Sequence, residues 1–205
     1  LLGRRTTSDA FTTYIHPDNR VITRRLARFL FQRMGNEGRV LMLRGVPGAT
    51  PTLHRTRAFE ELAAGEPGIS VTTRTANYLR GDAILAVDEL LRHHDGFPFD
   101  ALYAQSDSMA EGARVALRRN GVDPARVLIA GIDYIEEARA AIRSGEQLVS
   151  YTYPTGGAEG AEIALRLLSG EPVPRRMELE SRRVTAENVD EVPPIFRRGE
   201  QELGP

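Results

Sequence analysis

From about residue 20 onward, short apolar runs alternate with stretches patterned for helix, and that alternation leaves few folds open. Val40-Leu41-Met42-Leu43, Ala101-Leu102-Tyr103-Ala104 and Val127-Leu128-Ile129-Ala130 are too short to be helices and apolar at every position. Ile69 to Thr73 is rich in β-branched residues and reads as a further strand, as does Leu148 to Thr152. Between the runs the period changes. Ile22, Leu26, Phe29 and Leu30 fall on one helical face, and Gly35 and Gly38 end that helix. Thr50-Pro51 reads as an N-cap followed by proline at the first helical position, opening a helix that runs to about Gly65. Further helices are marked by Ile84, Val87, Leu90 and Leu91, and by Met109, Ala113, Ala116 and Leu117, the latter ending at Asn120-Gly121. Ile135 to Ile142 and Gly157 to Leu168 read as helices, and Met177 to Val184 as a last strand. Strands separated by helical crossovers imply an α/β fold with a doubly wound parallel sheet. Strands apolar on both sides suit a sheet covered on both faces.

Composition narrows the function classes. Among 205 residues, 27 basic and 28 acidic side chains are spread evenly, which gives no basic arm for nucleic acid and no acidic tail. All the basic residues are arginine, a pattern that GC-rich coding explains without function. Cysteine is absent, so thiol catalysis, thiolate metal sites and disulfides are excluded. No apolar run approaches the roughly 18 residues of a membrane helix. No signal peptide is present, and Leu1-Leu2-Gly3-Arg4 reads as the end of a strand, so a preceding segment with any export signal is expected to be missing. The tail from Pro193 to Pro205 is polar and reads as loose or as a linker stub.

In an open parallel sheet, ligands bind beyond the carboxyl ends of the strands. Five loops qualify, spanning 45–50, 74–78, 105–108, 131–134 and 153–157, and they supply Asp, Ser, Asn, Tyr and Arg. Carboxylates and arginines hydrogen-bond vicinal hydroxyls, and aromatic faces stack on the apolar face of a sugar ring, so this set suits a polyol. Most enzyme templates fail. There is no P-loop, no Gly-x-Gly-x-x-Gly after a strand and no Gly-x-Ser-x-Gly elbow. His16, His54, His93 and His94 lack metal-ligand spacing, and His93-His94 reads as a solvated helix C-terminus. Asp107 and Asp133 could approach one another as a glycoside-cleaving pair, a reading nothing else in the chain supports. Several residues keep a purely structural alternative. Ser108 with Glu111, and Asp133 with Glu136, have capping-box spacing, and Asp107 could be a plain N-cap. Tyr78 could be core packing. Arg55 stands early in a helix, where its charge opposes the macrodipole, and that favours a functional role.

At these loops the chain resembles the type I periplasmic sugar-binding proteins of ABC transporters, the group that includes ribose-binding protein. Leu2-Gly3-Arg4 is similar to the strand end that carries a ligand-binding arginine, and Ile15-His16-Pro17-Asp18-Asn19 to the turn at the first interlobe crossing. Gly45 to Phe59 is similar to the glycine loop followed by Arg-x-x-Gly-Phe, with Ala58 for the glycine. Tyr78 falls where a stacking aromatic is common. Residues 103–113 resemble the motif in which Asn-Asp precedes Met-Ala-x-Gly, Gly131-Ile132-Asp133 the Gly-Phe-Asp turn, and residues 184–189 the closing Thr-x-Glu-Asn. Gly3 stands for an acidic residue of ribose-type members, Ser106 for their asparagine, and Tyr153-Pro154-Thr155-Gly156-Gly157 near their glutamine.

The resemblance implies a complete C-lobe with part of the N-lobe: residues 1–17 ending the N-lobe, 18–152 forming the C-lobe, 153–172 a helix returning to the N-lobe, 173–192 the closing strand and 193–205 a flexible tail. It implies a non-enzymatic, periplasmic receptor without cofactor or metal. A sugar or polyol would be held between hinged lobes by Arg4, Arg55, Tyr78, Ser106, Asp107, Asp133 and Tyr153, and delivered to a membrane permease. The same fold serves as the sugar-sensing input domain of histidine kinases, which the 153–157 segment favours, and as the effector domain of regulators like the lac repressor.

Overall fold

The computed structural model describes residues 1–4, 8–92 and 97–195; His93-His94 and the tail beyond 195 lie outside them. A larger α/β unit is built on β2 (Gly38–Arg44), β3 (Ile69–Thr75), β4 (Ala101–Ala104) and β5 (Leu128–Ala130). They form one parallel sheet in the order β3-β2-β4-β5, and a parallel bridge from Ala130 to Val149 extends it. The chain goes from β2 outward to β3 and then returns to the other side of β2 as β4. The sheet therefore has its topological switch point between β2 and β4, where an open α/β sheet leaves a crevice.

Period-two alternation explains why the strands are apolar throughout. Val40 and Met42 of β2 and Tyr103 of β4 face one side, against Leu26, Leu30 and Phe31 of α1 (Asn19–Arg33) and Phe59 of α2 (Thr50–Ala63). Leu41, Leu43, Leu102, Ala104 and Ile129 face the other, against Val87 of α3 (Arg80–Arg92) and Met109, Ala113 and Leu117 of α4 (Asp107–Arg119). Phe59 stacks on Tyr103 with ring centroids 4.6 Å apart and meets Phe31 edge-on at 5.3 Å. Gly112 lets α3 and α4 touch: a Cβ there would stand 2.4 Å from the Arg80 carbonyl oxygen. Only β3, at the sheet edge, alternates buried and exposed residues.

A smaller unit pairs β1 (Tyr14–Pro17) in parallel with β7 (Arg176–Leu179), beneath α6 (Gly157–Leu168). Ile15, Leu179 and Ile163 form its core, and Leu2 bridges to Ile15 on the far edge. β6 (Ser150–Tyr151) pairs antiparallel with β8 (Arg183–Val184) where the chain leaves the larger unit and re-enters it, Tyr151 packing in the larger unit's core and Val184 against Tyr134 and Ile142.

Local details differ from the sequence reading in three places. Thr50 is already helical. The cap is Ala49, whose extended backbone (ψ 134°) begins the helix without a side-chain bond, and Pro51 stands in the first turn. Met177 to Val184 is two strands, because the chain crosses between the units at residues 180–182, so β7 and β8 join different sheets. Leu148 to Thr152 contains only the two-residue β6, its flanks making single bridges to Ala130 and Asp133. No helix among the described residues is long and apolar enough to cross a membrane.

Phe59 is fully buried in an aromatic stack, whereas Leu85 is 66% exposed on α3. Phe59→Ala is expected to cost about 3–5 kcal/mol in urea denaturation, and Leu85→Ala less than about 0.5 kcal/mol. Equal losses would contradict this account of the core.

Candidate functional site

At the switch point, the carboxyl ends of β2 and β4 open into a cavity of about 450 Å³ between the two units. Arg4, Arg55, Tyr78, Ser106, Asp133 and Tyr153 line it, together with Leu2, Gly3, Pro51, Ser108 and Thr155. The structure thus brings together six of the seven side chains singled out in the sequence. The seventh, Asp107, faces elsewhere.

Arg55 is at the centre. It projects from the second turn of α2 and is 3% exposed. Its Nε donates to the Asn19 amide oxygen at 2.7 Å, and its Nη1 donates to the Gln105 carbonyl. Its guanidinium lies 4.7 Å over the Tyr153 ring. Asn19 uses its other end to donate to the Tyr153 hydroxyl at 3.2 Å. Burial works against the Arg55 charge and the nearby Asp133 carboxylate works for it, with a net upward shift in pKa. Gln105 completes the frame. Its side chain accepts from the Gly45 N–H at 3.1 Å and donates to Thr56 Oγ1 at 2.8 Å, tying the end of β4 to the β2–α2 loop and to α2.

Tyr78 covers another wall. Thr52 donates to its hydroxyl at 2.8 Å, and its ring lies flat on Gly45, where any Cβ would fall 2.0 Å from a ring carbon. Gly45 is therefore required by close approach. Four of the five non-glycine residues with positive φ among the described residues belong to two site loops: Asn77 (51°), Tyr78 (63°), Asp133 (115°) and Tyr134 (56°). Such backbone costs roughly 1–3 kcal/mol per residue and persists where surroundings over-determine it. Asn77 is held by a 2.8 Å bond to Asp82, and Asp133 by donating its N–H to the Tyr151 carbonyl at 2.8 Å.

Asp133 aims its carboxyl into the cavity. Burial pushes its pKa up to about 7, against the pull of Arg55 and with a further push from Asp107. Neither it nor Ser108 caps a helix. Ile135 precedes α5 (Glu136–Arg143) with no side-chain bond, and α4 is capped by Ser106, which accepts from the Met109 N–H at 3.4 Å. The left-handed turn at 133–134 carries Asp133 away from the start of α5, which is why its spacing to Glu136 has no capping consequence.

Asp107 is a strut and not a wall of the cavity. It is the first residue of α4, fully buried, and accepts from Ser150 Oγ (2.6 Å), the Tyr134 N–H (2.7 Å) and Gln147 Nε2 (2.8 Å). Both its oxygens are occupied within the chain, and it is not among the residues that line the cavity. Gly131 makes room for it, since a Cβ there would stand 1.9 Å from Asp107 Oδ1. Asn19, Thr52 and Gln105 are positioning residues that sequence reasoning missed. Only the neighbourhood of Asn19 and Gln105 to motif residues could have flagged them.

Residues 6–172 match the family described as periplasmic binding protein domain. The chain belongs to that family. Its fold, including the parallel sheet and the partial second unit, is that of the type I periplasmic sugar-binding proteins. It is 28% identical over 180 residues to the xylitol-binding protein of Mycolicibacterium smegmatis, covering 86% of this chain and 50% of that protein. It is 26% identical over 174 residues to a ribose import binding protein of Salmonella typhimurium, covering 84% and 57%. The chain therefore spans little more than half the length of these curated relatives. Among solved structures, the fructose binding periplasmic domain of a hybrid two component system superposes with a TM-score of 0.86 at 26% identity, over 92% of this chain and 63% of that one. An ABC transporter solute binding protein from Bacillus halodurans C-125 with bound myo-inositol does so with a TM-score of 0.86 at 25% identity, over 93% and 66%.

Asp107 is uncharged more readily in the folded chain than in the unfolded one, because burial outweighs its three hydrogen bonds and Arg114 and lifts its pKa to about 6. Between about pH 4 and about pH 6 the folded form keeps a proton that the unfolded form has lost, so stability falls as pH rises across that window. The expected loss is of order 3 kcal/mol for about two pKa units. Urea midpoints measured from pH 4 to 6 should decline in the native protein and decline less steeply in Asp107→Asn, the remaining slope belonging to Asp133, whose pKa is pushed up to about 7; parallel curves would exclude Asp107 as a source.

Proposed function

We propose that this chain is the major part of a receptor that binds a sugar or polyol in the cavity between its two units, without catalysis. The observation that carries the reading is the chemistry of one wall. A buried guanidinium, a carboxylate, two tyrosine rings and a serine hydroxyl converge on one cavity at the sheet's switch point. Arg55, Ser106 and Asp133 would hydrogen-bond hydroxyl groups, Tyr78 and Tyr153 would cover apolar ring faces, and Arg4 would close from the smaller unit.

In this reading residues 18–152 form one lobe and the β1–β7–α6 unit belongs to the other. The lobes close on the ligand by hinge motion about the crossings near residues 17, 152 and 181. The closed form would be presented outside the cytoplasm to the permease of an ABC-type transporter, a reading supported by the likeness to an ABC transporter solute binding protein and to a ribose import binding protein. A second reading, an input domain of a sensor kinase, draws on the likeness to the fructose binding periplasmic domain of a two component system. Both readings share the same cleft chemistry.

A thermal-shift screen against monosaccharides, polyols and furanose sugars tests the binding step, since a ligand specific for the folded state raises its stability by mass action. With the ligand so found, Asp133→Ala is expected to cost about 1.5–3 kcal/mol of binding free energy by calorimetry, the range for a hydrogen bond to a charged group. Unchanged affinity would remove Asp133 from the site.

A further inference from the structure

A second buried arginine stands behind the cavity without lining it. Arg114 of α4 is removed from water, a costly placement unless its donors find acceptors. Its Nε donates to Glu111 at 3.0 Å, its Nη2 donates to the same carboxylate, and its Nη1 donates to the Gln147 side-chain oxygen.

The last of these bonds settles the direction of an amide. A glutamine side chain ends in an acceptor and a donor of nearly the same shape, whereas a guanidinium carries donors only. Gln147 must therefore turn its oxygen toward Arg114 and its nitrogen away. That nitrogen meets two acceptors, Asp107 Oδ1 at 2.8 Å and the Val149 carbonyl at 3.2 Å. Turned over, the amide would set donor against donor at Arg114 and oxygen against oxygen at both other contacts. With Oδ1 held in this way, Asp107 keeps Oδ2 for Ser150 Oγ at 2.6 Å and for the Tyr134 N–H at 2.7 Å. Tyr134 is the second residue of the left-handed pair whose first residue, Asp133, is on the cavity wall. A relay with every donor fixed thus runs from Arg114 through Gln147 and Asp107 to the backbone that carries Asp133. All of its members lie among the described residues of the larger unit, so the relay is complete within this chain.

Resting on the receptor reading above, we propose that Gln147, its amide oriented by Arg114, is a positioning residue for the ligand site: it acts through Asp107 and the Tyr134 N–H to hold the Asp133 carboxyl toward the cavity.

Reversing the polarity of the relay tests this. Gln147→Glu keeps the size of the side chain and puts an oxygen against Asp107. Asp107→Asn puts an amide nitrogen against either the Gln147 nitrogen or the Tyr134 N–H. Together the two changes match donor to acceptor again at that contact, and leave the net charge unchanged. The Val149 carbonyl then loses the Gln147 donor but keeps the Gly131 N–H at 3.0 Å, so recovery is partial. Calorimetry uses D-ribose, xylitol and D-galactose as probes, or the tightest binder of the wider sugar panel where none of these binds. Gln147→Glu is expected to weaken binding by at least about five-fold, and the double variant to bind at least about three-fold more tightly than Gln147→Glu alone. The decisive comparison is in Asp133→Ala, where adding Gln147→Glu should change affinity by less than about two-fold, because the group it positions is gone. If Gln147→Glu does not fold, Gln147→Met, which removes the donor and the acceptor without opposing either, enters the same comparison. Unchanged affinity in the position-147 variant, or a loss that persists in full in Asp133→Ala, overturns the relay while the receptor reading stands. If neither the probes nor the wider panel binds the native protein, the receptor reading fails and takes this proposal with it.

Discussion

A buried guanidinium organises this molecule. Arg55 is removed from water and has no contacting counter-charge, an arrangement worth several kcal/mol of desolvation unless every hydrogen-bonding direction is used. It is met by an amide from the first residue of α1, a carbonyl from the end of β4 and an aromatic ring from just after β6. Those three segments are far apart in sequence. Each must therefore reach its native place before the charge is tolerable, so the floor of the cavity is defined by the same interactions that make burial possible. Asn19 shows the economy of the design: one amide group accepts from Arg55 and donates to Tyr153, fixing the ring that lies over the guanidinium.

The carboxylate facing Arg55 is set by a second, hidden one. Asp107 holds the Tyr134 N–H, and with it the left-handed pair Asp133-Tyr134, against the rest of the sheet. The Tyr134 hydroxyl donates onward to the carbonyls of Val189 and Val192, anchoring the closing segment to the same turn. Glycine at 131 is the geometric condition for this, because the Asp107 oxygen occupies the space a side chain would need. Strain at 133 is thus sustained by a satisfied buried network, and the Asp133 carboxyl turned toward the cavity is the consequence.

Much of this was legible in the sequence, for reasons that differ by level. The sheet was legible because both faces of β2 and β4 are covered, so period-two alternation disappears into short apolar runs of the right length. The helices were legible because their opposite faces are wet. Four wall residues, Tyr78, Ser106, Asp133 and Tyr153, were legible because strand tips of a parallel sheet share one end, which turns loop position into proximity; Arg4 was legible through the family resemblance, and Arg55 through that resemblance and its unfavourable place early in α2. Asp107 was not. It stands beside Ser106 in sequence, yet at a helix start a one-residue step rotates a side chain by about 100°, from the cavity to the interior. Nothing in the string Ser106-Asp107-Ser108 says which of three polar residues points outward. Asn19 and Gln105 were missed because their partners are 36 and 50 residues away, and polar partnerships at that range leave no periodic trace. The split of the last strand into β7 and β8 escaped notice because both halves suit extended backbone, and only the crossing between the units separates them.

Those crossings give the site its leverage. β6 and β8 pair through only two residues each where the chain crosses between the units, and Thr152 continues the pairing through bonds with Ser181 and Arg182. The segment that leaves β6 is tied to the cavity. Thr152 bridges to Asp133 on one side, and Tyr153 stacks on Arg55 and bonds Asn19, the first helical residue after the β1 crossing. On the proposed reading, a ligand gripped by Arg55 and Asp133 would pull directly on groups beside the crossings near residues 17 and 152. In a hinged receptor that is the arrangement by which differential contact with the ligand, and not its mere presence, selects one relative position of the units.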